Sequence, residues 1–168
     1  MKKKVRELKV KIDGIAQLTQ NLEEPVKYAV EEIVSKTVSR VQTLNYRHSN
    51  EVKDAVKSLY LAKAWLGEVL GELGTESPYA NDGTRKTVED IEPTADTGKM
   101  YYPMSPEYMS HIEKVDWLRK KIGKIVNEAD ILMTQKGRVY IFGCNVNQHL
   151  SEARFQLGFE LGRIKENG

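Results

Sequence analysis

Leu59-Tyr-Leu-Ala-Lys-Ala-Trp-Leu-Gly-Glu-Val-Leu-Gly-Glu-Leu73 and Leu150-Ser-Glu-Ala-Arg-Phe-Gln-Leu-Gly-Phe-Glu-Leu-Gly-Arg-Ile164 align without a gap. Each has Leu, two residues, Ala, a base, two residues, Leu-Gly, two residues, Leu-Gly, one residue, then Leu or Ile. An internal repeat of this kind marks two copies of one supersecondary unit. Leu59, Ala62, Leu66, Leu70 and Leu73, like Leu150, Ala153, Leu157, Leu161 and Ile164, recur at three-and-four spacing, the period of one apolar helix stripe facing a core. Gly67 with Gly71, and Gly158 with Gly162, stand four apart inside these helices. An interior glycine costs a helix about 1 kcal/mol relative to Ala. The pairs therefore predict close approach to a surface without Cβ atoms, by a neighbouring helix in preference to a flat ligand.

The chain between and around the repeats supplies their partners. Residues 4 to 13 alternate, Leu8, Val10 and Ile12 against Lys9, Lys11 and Asp13, which predicts a half-buried strand. Asn21 with Glu24 resembles a capping box and Pro25 suits a first helical turn, so a helix is expected from there to about Leu44. Its stripe would be Val26, Val30, Ile33, Val38, Val41 and Leu44. The first repeat helix then ends at Gly74, a natural cap, and completes hairpin one over 22–74. Residues 75–104 lack periodicity and form a long loop. Ser105-Pro106 starts hairpin two, 105–166, with Ile112, Val115, Leu118, Ile122, Ile125 and Val126 inward. Residues 131–142 read as an inserted β-hairpin turning at Gln135-Lys-Gly137, and Asn145 as the cap of the second repeat helix. The expected fold class is α+β, one domain over 1–168: a duplicated antiparallel helical hairpin with a small antiparallel sheet from strand 4–13 and the 131–142 pair.

Composition limits the function classes. The 168 residues are 40% hydrophobic, enough for one well-buried core. A net charge of +2 from 26 basic and 24 acidic residues carries no global signature of a nucleic-acid polymer or a membrane partner, so any anion must be met locally. No apolar run follows the basic start and none reaches spanning length, and the single cysteine, Cys144, makes no internal disulfide; the expected location is the cytoplasm.

Catalytic constellations are sparse. His48, His111 and His149 are isolated, with no Cys/His cluster at metal-ligand spacing, so neither a metal nor a cofactor is expected. A thiol nucleophile at Cys144, activated by His149 one turn on, competes with a plain packing role, and packing is favoured. Groups that grip phosphates and stack on bases are better represented. Tyr46, Arg47 and His48 sit at one hairpin tip; Arg138, Tyr140 and Phe142 alternate, hence share a strand face, at the other. Asn145 and Gln148 lie just beyond, and Arg154 is the base of the second repeat. A guanidinium holds a phosphate bidentately, a ring stacks on a base and an amide reads a base edge. These residues are the candidate ligand set. Trp65 and Trp117 read as core or interface anchors, and Arg119-Lys-Lys121 as a solvated helix face.

Ala62-Lys-Ala-Trp-Leu-Gly-Glu-Val-Leu-Gly-Glu-Leu-Gly74, Asp90-Ile-Glu-Pro-Thr-Ala-Asp-Thr97 and Glu152-Ala-Arg-Phe-Gln-Leu-Gly-Phe-Glu-Leu-Gly-Arg-Ile164 together resemble the phage helical-hairpin proteins that counter Thoeris and CBASS immunity. The resemblance implies a non-enzymatic sponge that binds a cyclic nucleotide immune signal, a cyclic ADP-ribose isomer or a cyclic oligonucleotide, and withholds it from its effector. It implies a homo-oligomer, dimer or higher, with ligand at subunit interfaces. The competing class is a structural or protein-interaction phage protein with no small ligand. A helical nucleotide hydrolase would need acidic residues on facing helices for Mg²⁺, and the adjacent pairs Glu23-Glu24 and Glu31-Glu32 point to different faces.

Overall fold

A computed structural model describes residues 1–34, 37–74 and 100–167; over 24–34 and 37–47 it describes the backbone path. Four α-helices carry the packing: α1 (Lys2–Gln20), α2 (Asn50–Glu72), α3 (His111–Ala129) and α4 (Arg138–Asn167). Helix α1 packs on α2, α2 on α4, α4 on α3 and α3 on α1, which closes a ring. Neighbours are antiparallel. In the α2/α4 pair, Ser49 reaches Glu160 at one end while Arg138 approaches Glu72 at the other. Helices α2 and α3 are therefore diagonal and parallel, so the chain leaves α2 at one end of the bundle and enters α3 at the opposite end.

The repeated stripe is the centre of the core. Leu59, Ala62, Leu66, Leu70, Leu150, Ala153, Leu157 and Leu161 are buried, and Leu73 and Ile164 pack at its margins. Each large aliphatic side chain removed from water contributes about 1.5–3 kcal/mol. Helix α3 adds Val115, Leu118, Ile122 and Ile125, with Val126 partly buried and Ile112 left exposed. Helix α2 starts on Ser49, whose Oγ accepts from the Val52 N–H at 3.2 Å, and Gly74 follows its end at φ 81°. That left-handed conformation suits glycine beyond a helix C-terminus.

The α+β expectation is overturned: the packed body is a four-helix bundle with no sheet in it, and neither segment assigned to the sheet is a strand. Residues 4–13 belong to α1. The alternation Leu8, Val10, Ile12 is outweighed by Val5, Leu8, Ile12 and Ile15, a helical stripe that buries completely against α2 and α3. Nor is 131–142 a β-hairpin. Asp130–Thr134 is a 3₁₀ turn, Gly137 reverses the chain at φ 71°, and α4 has begun by Arg138. Val139, Phe142, Val146 and Leu150 then continue the inward face of α4, so Asn145 is in mid-helix and caps nothing. Gly143 makes this possible, because a Cβ there would stand 2.7 Å from the Leu132 Cβ.

The segment expected as a helix to Leu44 is extended instead. Glu24–Val34 and Thr37–Arg47 pair as an antiparallel ribbon, with Glu24 opposite Arg47, Val30 opposite Val41 and Val34 opposite Thr37. Val26, Val30, Ile33, Val34, Thr37, Val38, Val41 and Thr43 are β-branched, and stiffness at χ1 favours strand over helix. Pro25 is tolerated at a strand start. The helix that pairs with the first repeat is therefore α1. Helix α3 likewise starts later than Ser105-Pro106, which forms a 3₁₀ turn over Pro106–Tyr108; the cap is Ser110, accepting from the Glu113 N–H at 3.2 Å. The close approach expected at the repeated glycines does not occur at Gly71 or Gly162, where an added Cβ would meet open space. The loop assigned to 75–104 lies outside the described residues up to position 99. No helix among the described residues is long and apolar enough to cross a membrane.

Candidate functional site

The two hairpin tips do not converge. His48 precedes α2 and bonds the Gln20 carbonyl, whereas Arg138 lies 4.0 Å from Glu72 beyond the far end of α2. A helix of 23 residues separates the two groups, about 34 Å at 1.5 Å per residue. The side chains of Tyr46 and Arg47 lie outside the described residues. Because 138–142 is helical, Tyr140 lies on the opposite side of the helix from Arg138 and Phe142, which are four residues apart. Phe142 turns inward against Trp65, ring centroids 5.4 Å apart, while Tyr140 is exposed beside Cys144, whose hydrogen bond raises its phenol. Asn145 is half-buried, and Gln148 donates to the Glu152 carboxylate at 3.2 Å.

Cys144 and His149 do not form a nucleophile pair. Five helical residues place them about 140° apart around α4. His149 instead bonds Glu152 through Nδ1 at 3.0 Å, and this contact leads the causes that lower the Glu152 carboxyl. Among the described residues no three His, Cys, Asp or Glu side chains are grouped to hold a metal ion.

Arg154 lies elsewhere, in the groove between α3 and α4. Its guanidinium covers Gly123, with Cζ 3.5 Å from where a Cβ would stand. One turn away the arrangement is reciprocal, and Arg119 of α3 covers Gly158 of α4 with Nε at 3.5 Å. Beside Arg154 opens a cleft of about 490 Å³ lined by Trp117, Lys120, Lys121, Lys124 and Asn127. Trp117 is its aromatic wall. Tyr102 packs against that ring at 5.0 Å, and the Lys121 ammonium stands 5.3 Å from its centroid. Burial pushes the Tyr102 phenol up to about 12, and its hydroxyl is buried with no hydrogen-bond partner among the described residues. The cleft lining holds four cationic side chains and no carboxylate, although Lys120 reaches Asp116 at 2.8 Å nearby. A concave surface of one charge sign concentrates counter-ions, and guanidinium and ammonium groups on it meet phosphate oxygens at charge-assisted distances.

Sequence reasoning placed only Arg154 in this cleft. The missed signal was periodic: Trp117, Lys120, Lys121 and Lys124 are spaced i, i+3, i+4, i+7 and so form one basic stripe around a tryptophan.

At the other end of the bundle, Glu160 is fully buried. It accepts from Ser49 Oγ at 2.8 Å, His111 Nε2 at 3.1 Å and Arg163 at 2.6 Å, so one carboxylate joins the start of α2, the start of α3 and α4. Burial alone would raise its carboxyl, but the bonds from Arg163, His111 and Ser49 outweigh that and hold it below the ordinary range.

Comparison of the chain with protein-family profiles, with curated proteins and with solved structures found no match.

Proposed function

We propose that this protein is a non-catalytic sponge that binds and sequesters a cyclic nucleotide immune signal, a cyclic ADP-ribose isomer or a cyclic oligonucleotide, in the cytoplasm of a phage-infected cell. The observation that carries the proposal is the α3/α4 cleft, where Lys120, Lys121, Lys124 and Arg154 surround Trp117 with no carboxylate in the lining. Phosphates of the ligand meet the cations, and a base stacks on the exposed part of the Trp117 ring. The resemblance of both repeats to anti-Thoeris and anti-CBASS proteins supports the same class of ligand.

The test incubates the protein with a cyclic ADP-ribose isomer and, separately, a cyclic dinucleotide, removes free ligand, denatures the complex and analyses what is released. Recovery of unchanged nucleotide is expected, with affinity reduced about tenfold or more by Arg154→Ala or Lys121→Ala, the scale of a lost bond to a charged group. Release of a cleaved product would make the protein an enzyme. Retention of neither nucleotide would favour the structural class, for which the exposed aromatic face of α4 is the supporting observation.

A further inference from the structure

The antiparallel ribbon, β1 (Glu24–Val34) and β2 (Thr37–Arg47), connects α1 to α2, and among the described residues no helix packs along either strand. Its strands of 11 residues span about 37 Å at 3.4 Å per residue. A lone two-stranded hairpin is marginally stable in water, whereas three or more strands with an apolar face hold on their own. The ribbon has such a face: Val26, Val30 and Val34 share it with Val41, which stands opposite Val30. It also has two open edges, and they differ in charge. Strand β1 carries Glu24, Lys27, Glu31 and Glu32, of both signs; β2 carries Arg40 and Arg47 and no acid.

We propose that β1 pairs edge to edge with β1 of a second copy of this chain, antiparallel about a two-fold axis through Ala29, so that two ribbons make one four-stranded sheet. Alternate residues of an antiparallel strand direct their N–H and C=O to opposite edges, so residues facing each other across the pair have the same parity and the axis passes through a residue. Ala29 is the middle of β1, and with the axis there all 11 residues find a counterpart. That register also sets Lys27 opposite Glu31 of the partner subunit, twice by symmetry. Moving the axis to Tyr28 would set Glu24 opposite Glu32 of the partner subunit, and moving it to Lys27 or Glu31 would set that charge opposite its own copy. With the axis at Val30 no two charges face each other. Opposite charges across strands favour a register and like charges oppose it, so charge and full overlap select the same one. Strand β2 against its own copy offers no opposite pair, and β1 against β2 of another copy does not close at two chains. The pairing stands independently of what the α3/α4 cleft binds.

Light scattering of the full chain should give twice the 19.2 kDa of one copy. Lys27→Glu should weaken the dimer about tenfold or more, since two like-charge oppositions replace two attractive ones, while the helical circular dichroism stays as in the parent. Lys27 stands opposite Leu44 within the ribbon, so this change leaves the hairpin's own opposite charges, Glu24 with Arg47 and Glu31 with Arg40, in place. A complementary chain carrying Glu31→Lys and Arg40→Glu should dimerise poorly alone and combine with the Lys27→Glu chain into a mixed dimer. In a Cys144→Ser background, Ala29→Cys should oxidise to a covalent dimer, because position 29 faces itself at a Cα separation of about 4.5–5.5 Å, within disulfide reach. Ser39→Cys, on β2, should not. A parent that is monomeric at every concentration, or a dimer indifferent to Lys27→Glu, overturns the pairing. Cross-linking through Ser39→Cys in place of Ala29→Cys would put the contact on β2 and overturn it as well, and failure of the mixed dimer to form overturns the register. Nucleotide retention measured on the same samples through Arg154→Ala reports on the cleft separately.

Discussion

Helices α2 and α4 carry the same repeat, and their inner faces stayed the more alike. Leu66 and Leu157 are equivalent and both fully buried, as are Leu59 with Leu150 and Ala62 with Ala153. Outward, the equivalents diverge: Ala64 and Glu68 on α2 stand where α4 has Phe155 and Phe159. One inward position diverges too, since Val69 of α2 corresponds to Glu160 of α4 and both are fully buried. A core tolerates only shape-conserving change, because close packing makes each methylene count, whereas a solvated face changes freely. Divergence in a repeat therefore marks where the two halves do different work. Here it marks a buried carboxylate at one end of the bundle and an aromatic face on its outside.

The largest expected effect tests the likeness. Leu66→Ala and Leu157→Ala should each destabilise by about 2–5 kcal/mol in denaturant titration, with similar values for the two. A difference of more than about 2 kcal/mol would show that the repeat does not build equivalent halves of one core.

Gly143→Ala sharpens the comparison at the one place where α4 extends past the repeat to meet a turn. A Cβ 2.7 Å from the Leu132 Cβ must displace that turn, and overpacking of this kind costs about 1–3 kcal/mol. If thermal melting of the variant matches the parent, the helix does not lie on the turn as described.

Glu160→Gln addresses the inner divergence. The amide keeps one acceptor oxygen and turns the other into a donor facing the donors of Ser49, His111 and Arg163, at about 1–3 kcal/mol. The pH dependence has a definite sign. The folded carboxyl is lowered relative to the unfolded chain, so its contribution is present above the unfolded carboxylate range and is lost as pH falls through the lower folded value. Parent and variant stabilities should converge below that window; a constant difference at every acid pH would show that Glu160 does not titrate there.

The smallest effects belong to the outer glycines. Gly71→Ala should be neutral or stabilising by up to about 1 kcal/mol, because helix propensity acts there without a steric penalty. Gly162→Leu should leave the helical circular dichroism and the melting temperature essentially unchanged. Loss of the helical signal in either variant would restore close approach within the chain as the reason for these residues.

Much of the packing could be read directly. The three-and-four spacing of Leu59 to Leu73 and Leu150 to Ile164 is the core stripe of two helices, and Gly74 ends the first of them. Helical period and the left-handed preference of glycine are local properties, so a local pattern suffices to reveal them. The partners of the stripe were harder. Residues 4–13 carry both a two-residue and a 3.6-residue pattern, and only burial of Val5, Leu8, Ile12 and Ile15 against α2 and α3 selects the helix. Residues 25–44 carry an apolar helical spacing that β-branching overrides.

The candidate site depended on distance in space. Arg138 and Phe142 were grouped with Tyr140 by a strand period that does not apply, and the tips of the chain lie at opposite ends of an antiparallel bundle. The basic stripe around Trp117 was visible in the sequence as charge, but it becomes a cleft only where α4 brings Arg154 across Gly123. Periodicity along the chain dictated which faces of the repeat helices are buried. Which cations share a cleft, which carboxylate is enclosed and which phenylalanines remain in water were settled by helix-on-helix packing, because these depend on the neighbour that each face meets.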